Sequence, residues 1–290
     1  NGKQCLNYLS HRRGPPQPVL NEYAQLPTAV ADLRQALEDA DRIVVLTGAG
    51  ISAESGVPTF RGPGGLWRNY SPQELATPEA FARNPKLVWE WYDWRRGVIR
   101  RAQPGRGHHA LAQLERRKLS IRARKGTEGR RVSLPVEPGE PGHSGEFTLI
   151  TQNVDGLHDR AGSRNVVRLH GDIWQVQCTG CGSTGRNEQI PLESLPPRCS
   201  CGALLRPGVV WFGESLPSAE WEHAVSASAR AQLILTIGTS GIVYPAAGLA
   251  EIARNAGARL AAINPEPTPL DALADWILHG TSEEILPELI

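Results

Sequence analysis

The chain has 290 residues, 40% of them hydrophobic, enough for one large domain or a large domain with a smaller lobe. Its formal charge of +1 gives no global attraction to nucleic acid or to an anionic membrane, and neither is expected as a partner. No apolar run approaches the roughly 20 residues that span a bilayer.

Residues 1–27 lack an apolar signal segment and read as a flexible lead-in. A cytoplasmic address is expected. Lys3, Arg12 and Arg13, with no acid before Glu22, leave a processed mitochondrial targeting remnant as the alternative. Thr28 is a cap type for a helix to about 41, with Val30, Leu33 and Leu37 on one face.

The next stretch organises the chain. Ile43, Val44, Val45 and Leu46 predict a buried strand, and Thr47 leads into Gly48-Ala49-Gly50-Ile51-Ser52-Ala53. Gly48, Gly50 and Ala53 fit the G-x-G-x-x-G/A turn that lets a backbone approach a pyrophosphate. A helix starting at Ile51 would aim its free N–H groups at the same anion. Strand–glycine–helix turns also occur without a ligand. The glycine- and proline-rich run carrying Phe60, Arg61 and Trp67 predicts a loop, either a surface connection or a closing lid.

Ser71-Pro72, Thr77-Pro78 and Asn84-Pro85 each pair a cap residue with proline at the first helical position. They predict successive helices, the third over about 85–101, with another over about 108–118. Residues 119–146 turn to Ser, Arg, Lys, Gly, Pro and Glu and read as a surface insertion. Strands are predicted at 147–151, 166–169, 209–212, 233–237, 260–263 and 274–278. Helices are predicted at 218–231, capped by Ser218, and at 245–256, stopped by Gly257.

This alternation predicts an α/β fold: a Rossmann-like, doubly wound parallel sheet with its ligand along the carboxyl edge. The sheet would draw on residues 28–58, 147–172 and 208–290. A helical module with the loop (59–118) and a cysteine-bearing module (173–207) would form a smaller lobe.

Cys178-x-x-Cys181 and Cys199-x-Cys201 offer four thiolates from two turns, a structural Zn²⁺ set with no position left for water. Disulfides are the other reading, and the short second spacing makes Cys199 and Cys201 the less regular pair. His170 follows a predicted strand, where it is either a structural histidine or a general base.

Taken in order, Gly48-Ala49-Gly50-Ile51-Ser52, Thr59-Phe60-Arg61, Thr151-Gln152-Asn153-Val154-Asp155-Gly156-Leu157-His158, His170-Gly171, the four cysteines, Trp211-Phe212-Gly213-Glu214, Gly238-Thr239-Ser240 and Asn264-Pro265 resemble the sirtuins. The resemblance runs from about 32 to 290 apart from 119–146. It implies an NAD-dependent protein-lysine deacylase acting on acylated lysine in proteins or peptides, with one structural zinc and a monomeric chain. Gly48, Ala49, Gly50, Ile51, Gly238, Thr239 and Ser240 would then hold the NAD phosphates. Asn264, Pro265, Glu266 and Ser282 would lie at the adenosine end. Phe60, Arg61 and Trp67 would close over the cofactor.

By the same resemblance Gln152, Asn153, Val154 and Asp155 would line the nicotinamide and ribose pocket, with Val210 beside the substrate. The family's acyl oxygen displaces nicotinamide at the ribose C1′, and His170 would serve as base toward a ribose hydroxyl, with Asn153 and Asp155 beside it. The products would be nicotinamide and O-acyl-ADP-ribose.

Tyr92 and Arg95 stand at i and i+3 on a predicted helix, so a phenol and a guanidinium emerge on one face, as a carboxylate site requires. Members resembling this chain at Tyr-x-x-Arg remove succinyl, malonyl or glutaryl groups. The other reading is a core aromatic beside an arginine paired with its neighbour. A hydride-transferring oxidoreductase, an ADP-ribosyltransferase and a non-catalytic NAD and zinc module are the competing functions. The first lacks the acidic residue expected after a second strand.

Overall fold

The computed structural model describes residues 22–61, 65–66, 71–125 and 146–290. Trp67, residues 1–21 and most of the 119–146 insertion lie outside the described residues. The described strands are β1 (Arg42–Thr47), β2 (Glu146–Thr151), β3 (Val166–Arg168), β4 (Gly171–Cys178), β5 (Thr184–Arg186), β6 (Leu205–Val209), β7 (Leu233–Ile237), β8 (Arg259–Asn264) and β9 (Trp276–His279). Six of them form one parallel sheet in the order β3-β2-β1-β7-β8-β9. Counted within that sheet the order is 3-2-1-4-5-6, the Rossmann arrangement, whose winding reverses between β1 and β7.

Period-two patterning explains the layers. Ile43 and Val45 point to one face, under α1 (Glu22–Asp39), α5 (Arg106–Lys125) and α9 (Ser282–Leu289), where Leu33, Leu37, Leu111, Leu114 and Leu286 meet them. Val44 and Leu46 point to the other face, under α7 (Ser218–Arg230) and α8 (Gly248–Asn255), against Ala224, Leu249 and Ala250. Both faces are covered, so the parallel strands read as continuous apolar runs.

The smaller lobe has its own core. α2 (Pro72–Leu75), α3 (Pro78–Arg83) and α4 (Pro85–Arg101) pack Leu75, Phe81, Val88 and Trp89 against Ile173 and Trp174 of an antiparallel sheet ordered β5-β4-β6. The three expected caps form: Ser71 accepts from Gln73 N, Thr77 from Ala80 N and Asn84 from Leu87 N. A short helix, α6 (Leu157–Ala161), follows β2. Among the described residues no helix is long and apolar enough to cross a membrane.

Five expectations are corrected. α1 starts at Glu22 with Pro27 inside it and ends at Asp39, so Thr28 is not its cap and the lead-in overlaps a helix. α5 runs to Lys125, into the segment read as an insertion. β6 ends at Val209 and pairs antiparallel with β4 in the small lobe, so 209–212 adds no strand to the main sheet. The cap position of α7 is Pro217, with Ser218 already inside the helix. α8 begins at Gly248, because 245–247 form tight turns with Gly248 N bonded to Pro245 O.

The glycine turn is tight for a structural reason. Gly48 N bonds Ile237 O at 3.0 Å and Gly50 N bonds Gly238 O at 2.8 Å, so the ends of β1 and β7 touch backbone to backbone. A Cβ on Gly50 would stand 2.7 Å from Gly238 Cα, and one on Gly48 would stand 2.8 Å from Gly238 O. Gly50→Ala is therefore expected to cost about 1–3 kcal/mol as an overpacked backbone crossing, read as a lower urea midpoint. An unchanged midpoint would contradict this close approach.

Candidate active site

Beyond the carboxyl ends of β1, β2, β7 and β8 lies a cleft with a cavity volume of about 640 Å³. The 3-10 turn Ala49–Ser52 follows β1 at its floor, so no helix starts at Ile51. Gly48, Ala49, Gly50, Gly238, Thr239 and Ser240 line one wall, where glycines without a Cβ let a diphosphate approach the backbone. Asn264, Pro265, Glu266 and Ser282 line the same cleft beyond β8, and Phe60 and Arg61 line it from the loop. Ile51 does not: its side chain is fully buried in the core under α5 and α9.

The segment after β2 carries the polar groups. Gln152 Nε2 donates to Thr239 Oγ1 at 2.9 Å, tying the ends of β2 and β7 across the glycine turn. Asn153 Nδ2 donates to Gly48 O at 2.9 Å and to Ser52 Oγ at 3.2 Å. Ser52 Oγ donates to Asp155 Oδ2 at 2.8 Å, and Asp155 Oδ1 accepts from Leu157 N at 2.9 Å. Burial pushes the Asp155 carboxyl above its usual range, against these two bonds and the nearby Arg95. Val154 lines the cleft between them.

His170 stands where the chain leaves the large sheet for the small one. Gly171 makes that crossing with φ +82, and a Cβ there would meet Gly208 O at 2.3 Å. The ring is held by His170 Nδ1 against Gln152 O at 2.9 Å. A carbonyl only accepts, so this bond assigns the proton to Nδ1 and leaves Nε2 with its lone pair. Burial lowers the His170 pKa, and the Gln152 carbonyl opposes this in part. The neutral ring is thus the form favoured near pH 7.

Tyr92 and Arg95 of α4 line the same cleft, as does Val210. Arg95 is 4% exposed, and its Nε and Nη1 have no hydrogen-bond partner among the described residues. Its guanidinium lies over the Phe60 ring at 4.3 Å and the Trp91 ring at 5.5 Å. Burial lowers its pKa to about 10, so the group remains a cation near neutrality. The Tyr92 phenol, pushed up to about 12 by burial, accepts a bond from Trp211 Nε1 at 2.9 Å. Arg96 faces the other way, donating to Asn187 O and Oδ1 and lying 5.3 Å over the Trp174 ring.

In the smaller lobe Cys178, Cys181, Cys199 and Cys201 place their sulfurs within 4.8 Å of one another. Cys178 to Cys201 is 3.5 Å and Cys181 to Cys199 is 3.8 Å. Among the described residues none is in a disulfide. A tetrahedron with Zn–S arms of about 2.3 Å has edges of about 3.8 Å, so these four thiols fit zinc, the short Cys199-x-Cys201 spacing included. Treatment with a strong chelator is expected to strip one zinc equivalent and lower Tm by about 5–10 °C. Loss of metal without any change in Tm would show that the cluster does not support the fold.

Three parts of this site were not assigned from sequence. Ser52 sat inside the glycine motif without a role, yet it bridges Asn153 and Asp155. Trp211 belonged to a quoted motif, but nothing in one dimension pairs it with Tyr92. His108, 3.4 Å from Ser52 Oγ, carried no signal beyond its place near the start of a helix.

A doubly wound sheet with a glycine turn and an imidazole on one cleft, beside four thiols placed to bind zinc, defines the class: a dinucleotide-site protein with a metal-competent lobe. Comparison narrows the class. The Sir2 family model matches residues 48–124 and 142–245. The chain is 51% identical over 262 residues to NAD-dependent protein deacylase 2 of Pyrobaculum aerophilum, covering 90% of this chain and 93% of that protein. A Sir2 homologue solved with NAD is 44% identical, with TM-score 0.76, covering 89% of this chain and 91% of that one. A Sir2 structure with p53 peptide and NAD⁺ is 32% identical, with TM-score 0.74, over 89% and 95% of the two chains.

The chain belongs to the Sir2 family, the sirtuins, which are NAD-dependent protein deacylases. The sirtuin resemblance, the α/β fold, and the dependence on NAD are thereby borne out.

Proposed function

We propose that this sirtuin removes acidic acyl groups, succinyl and malonyl, from protein lysines, with acetyl as a lesser substrate. One observation carries the reading: the buried Arg95 guanidinium on the cleft wall, with two nitrogens unpartnered among the described residues, beside a phenol. A buried unpaired cation costs several kcal/mol. Cation–π contact with Phe60 offsets only about 1–2 kcal/mol of that. A carboxylate at the end of the acyl chain would satisfy Arg95 and accept from Tyr92. An acetyl group offers neither contact.

NAD, when bound, supplies a ribose carbon from which nicotinamide departs. The rest falls to this chain. Its glycine turn and Thr239 suit the diphosphate, and Asn153 with the Asp155 carboxylate suits the charge that develops at the sugar. His170, neutral and held through Nδ1, is suited to take a proton from a ribose hydroxyl at Nε2. The loop of Phe60 and Arg61 is suited to exclude water.

Matched acetyl-, succinyl- and malonyl-lysine peptides, assayed for kcat/KM with NAD, test the acyl preference. The acidic peptides are expected to exceed acetyl. Turnover of acetyl alone would overturn the acidic-acyl reading while leaving the family assignment intact.

A further inference from the structure

Tyr92 cannot recognise a carboxylate merely by being near it. Its hydroxyl must donate, and its rotor must point into the cleft. Two residues with no role assigned so far bear on that orientation. Arg206, on β6, forms a two-pronged ion pair with Glu214: Nη1 to Oε1, and Nη2 to Oε2 at 2.8 Å. The same Nη2 donates to Val209 O at 3.0 Å. The pair is largely shielded, with side-chain exposures of 17% and 24%.

Between the two partners sits Trp211. Glu214 Oε2 accepts from its backbone N at 2.8 Å. The Arg206 guanidinium lies over its ring, 3.7 Å from the centroid, and Phe81 packs 5.3 Å from it. One residue thus grips the backbone of Trp211, the other grips its ring, and the two grip each other. The indole is buried and has one donor, Nε1, aimed at Tyr92 Oη 2.9 Å away. An indole N–H only donates, so the phenol oxygen accepts there and its own hydrogen turns elsewhere.

We propose that Arg206 and Glu214 are positioning residues for acyl selectivity: by clamping Trp211 they commit the Tyr92 hydroxyl as a donor to the acidic end of the acyl group. Neither residue need touch the acyl chain. The pair acts through the indole, and the inference rests on the acidic-acyl reading of Tyr92 and Arg95. An arginine suits the role because a planar fork can be bidentate to a carboxylate and stack on an aromatic face at once. Lysine keeps the charge but can do neither.

The test is Arg206→Lys, assayed on matched succinyl- and acetyl-lysine peptides, alone and with Tyr92→Phe. The expected result is a rise of about 10- to 150-fold in KM for the succinyl peptide, the scale of one hydrogen bond to a charged group. The succinyl kcat and both acetyl constants should stay within about twofold, because an acetyl group offers the phenol no carboxylate to bind. In the Tyr92→Phe background the Lys substitution should add nothing, since the hydroxyl it acts through is gone.

A merely structural pair would instead lower Tm and depress acetyl and succinyl turnover alike, and would still do so without the phenol. That pattern, or unchanged selectivity in a folded variant, overturns the proposal. Should Arg206→Lys not fold, Glu214→Gln, which keeps the shape and removes the charge, carries the same comparison. Arg95→Met separates the two layers. If it abolishes succinyl preference while Arg206→Lys does not, the clamp alone is wrong. If the wild type shows no acidic preference at all, the clamp falls together with the reading beneath it.

Discussion

Replacing His170 with alanine is expected to lower kcat/KM for every acylated peptide by about 10²–10⁴-fold, the range of a lost general base. The ring sits at the junction of β3 and β4, oriented by one bond from Nδ1 to Gln152 O. It supports no large apolar core, so Tm should change little. Chemistry, not folding, is the predicted casualty.

The pH dependence has a definite sign. A base must be deprotonated to act, and burial lowers the His170 pKa. The neutral form therefore persists below the ordinary histidine value of about 6.5. The acid limb of kcat/KM should fall at a pH below that value and disappear in His170→Ala. An acid limb at or above about 6.5, or one that survives the substitution, would remove His170 from the role.

Arg95→Met carries the second large effect, and it is selective. Removing one member of a buried, hydrogen-bonded charge pair costs about 2–5 kcal/mol. The succinyl and malonyl kcat/KM should thus fall by at least about 30-fold. Acetyl, which makes no such pair, should change by less than about threefold, within the range of a substitution that removes no substrate contact. The variant should also be at least as stable as the wild type. In the free enzyme Arg95 is a buried cation with Nε and Nη1 unpartnered among the described residues, and an apolar side chain of similar length removes that burden. Reduced activity on both acyl classes, or a lowered Tm, would point to Arg95 as a structural residue of the small lobe.

Much of this molecule can be read in one dimension, for local reasons. Ser71, Thr77 and Asn84 cap their helices because a cap and its N–H targets lie within three residues. β7 was legible to the residue because a strand covered on both faces is an unbroken apolar run, as Leu233–Ile237 is. The four thiols were legible because zinc chemistry constrains residue type and spacing together. The glycine turn was legible from a spacing that a backbone crossing demands.

What was missed depends on contacts between distant segments. Val209 looks like a main-sheet strand residue by composition. Its actual partner across the ladder is Gly171, so it closes the small lobe instead. Ile51 sits in a nucleotide-binding motif, yet at that point of a 3-10 turn its side chain points into the core. Glu22 and Pro27 fall in α1 although neither the cap rule nor the proline rule places a helix start there, and packing of its later residues under the sheet decides the outcome. Ser52, His108 and Trp211 acquire meaning only when Asp155, the sheet edge and Tyr92 are brought to them.

The most direct measurement is a single turnover of a succinyl-lysine peptide with NAD, with all products resolved by mass. Equimolar nicotinamide, bare lysine peptide and succinyl-ADP-ribose, with no NADH absorbance, is the predicted result. A peptide that keeps its succinyl group, while its acetyl counterpart is cleared under the same conditions, would contradict it.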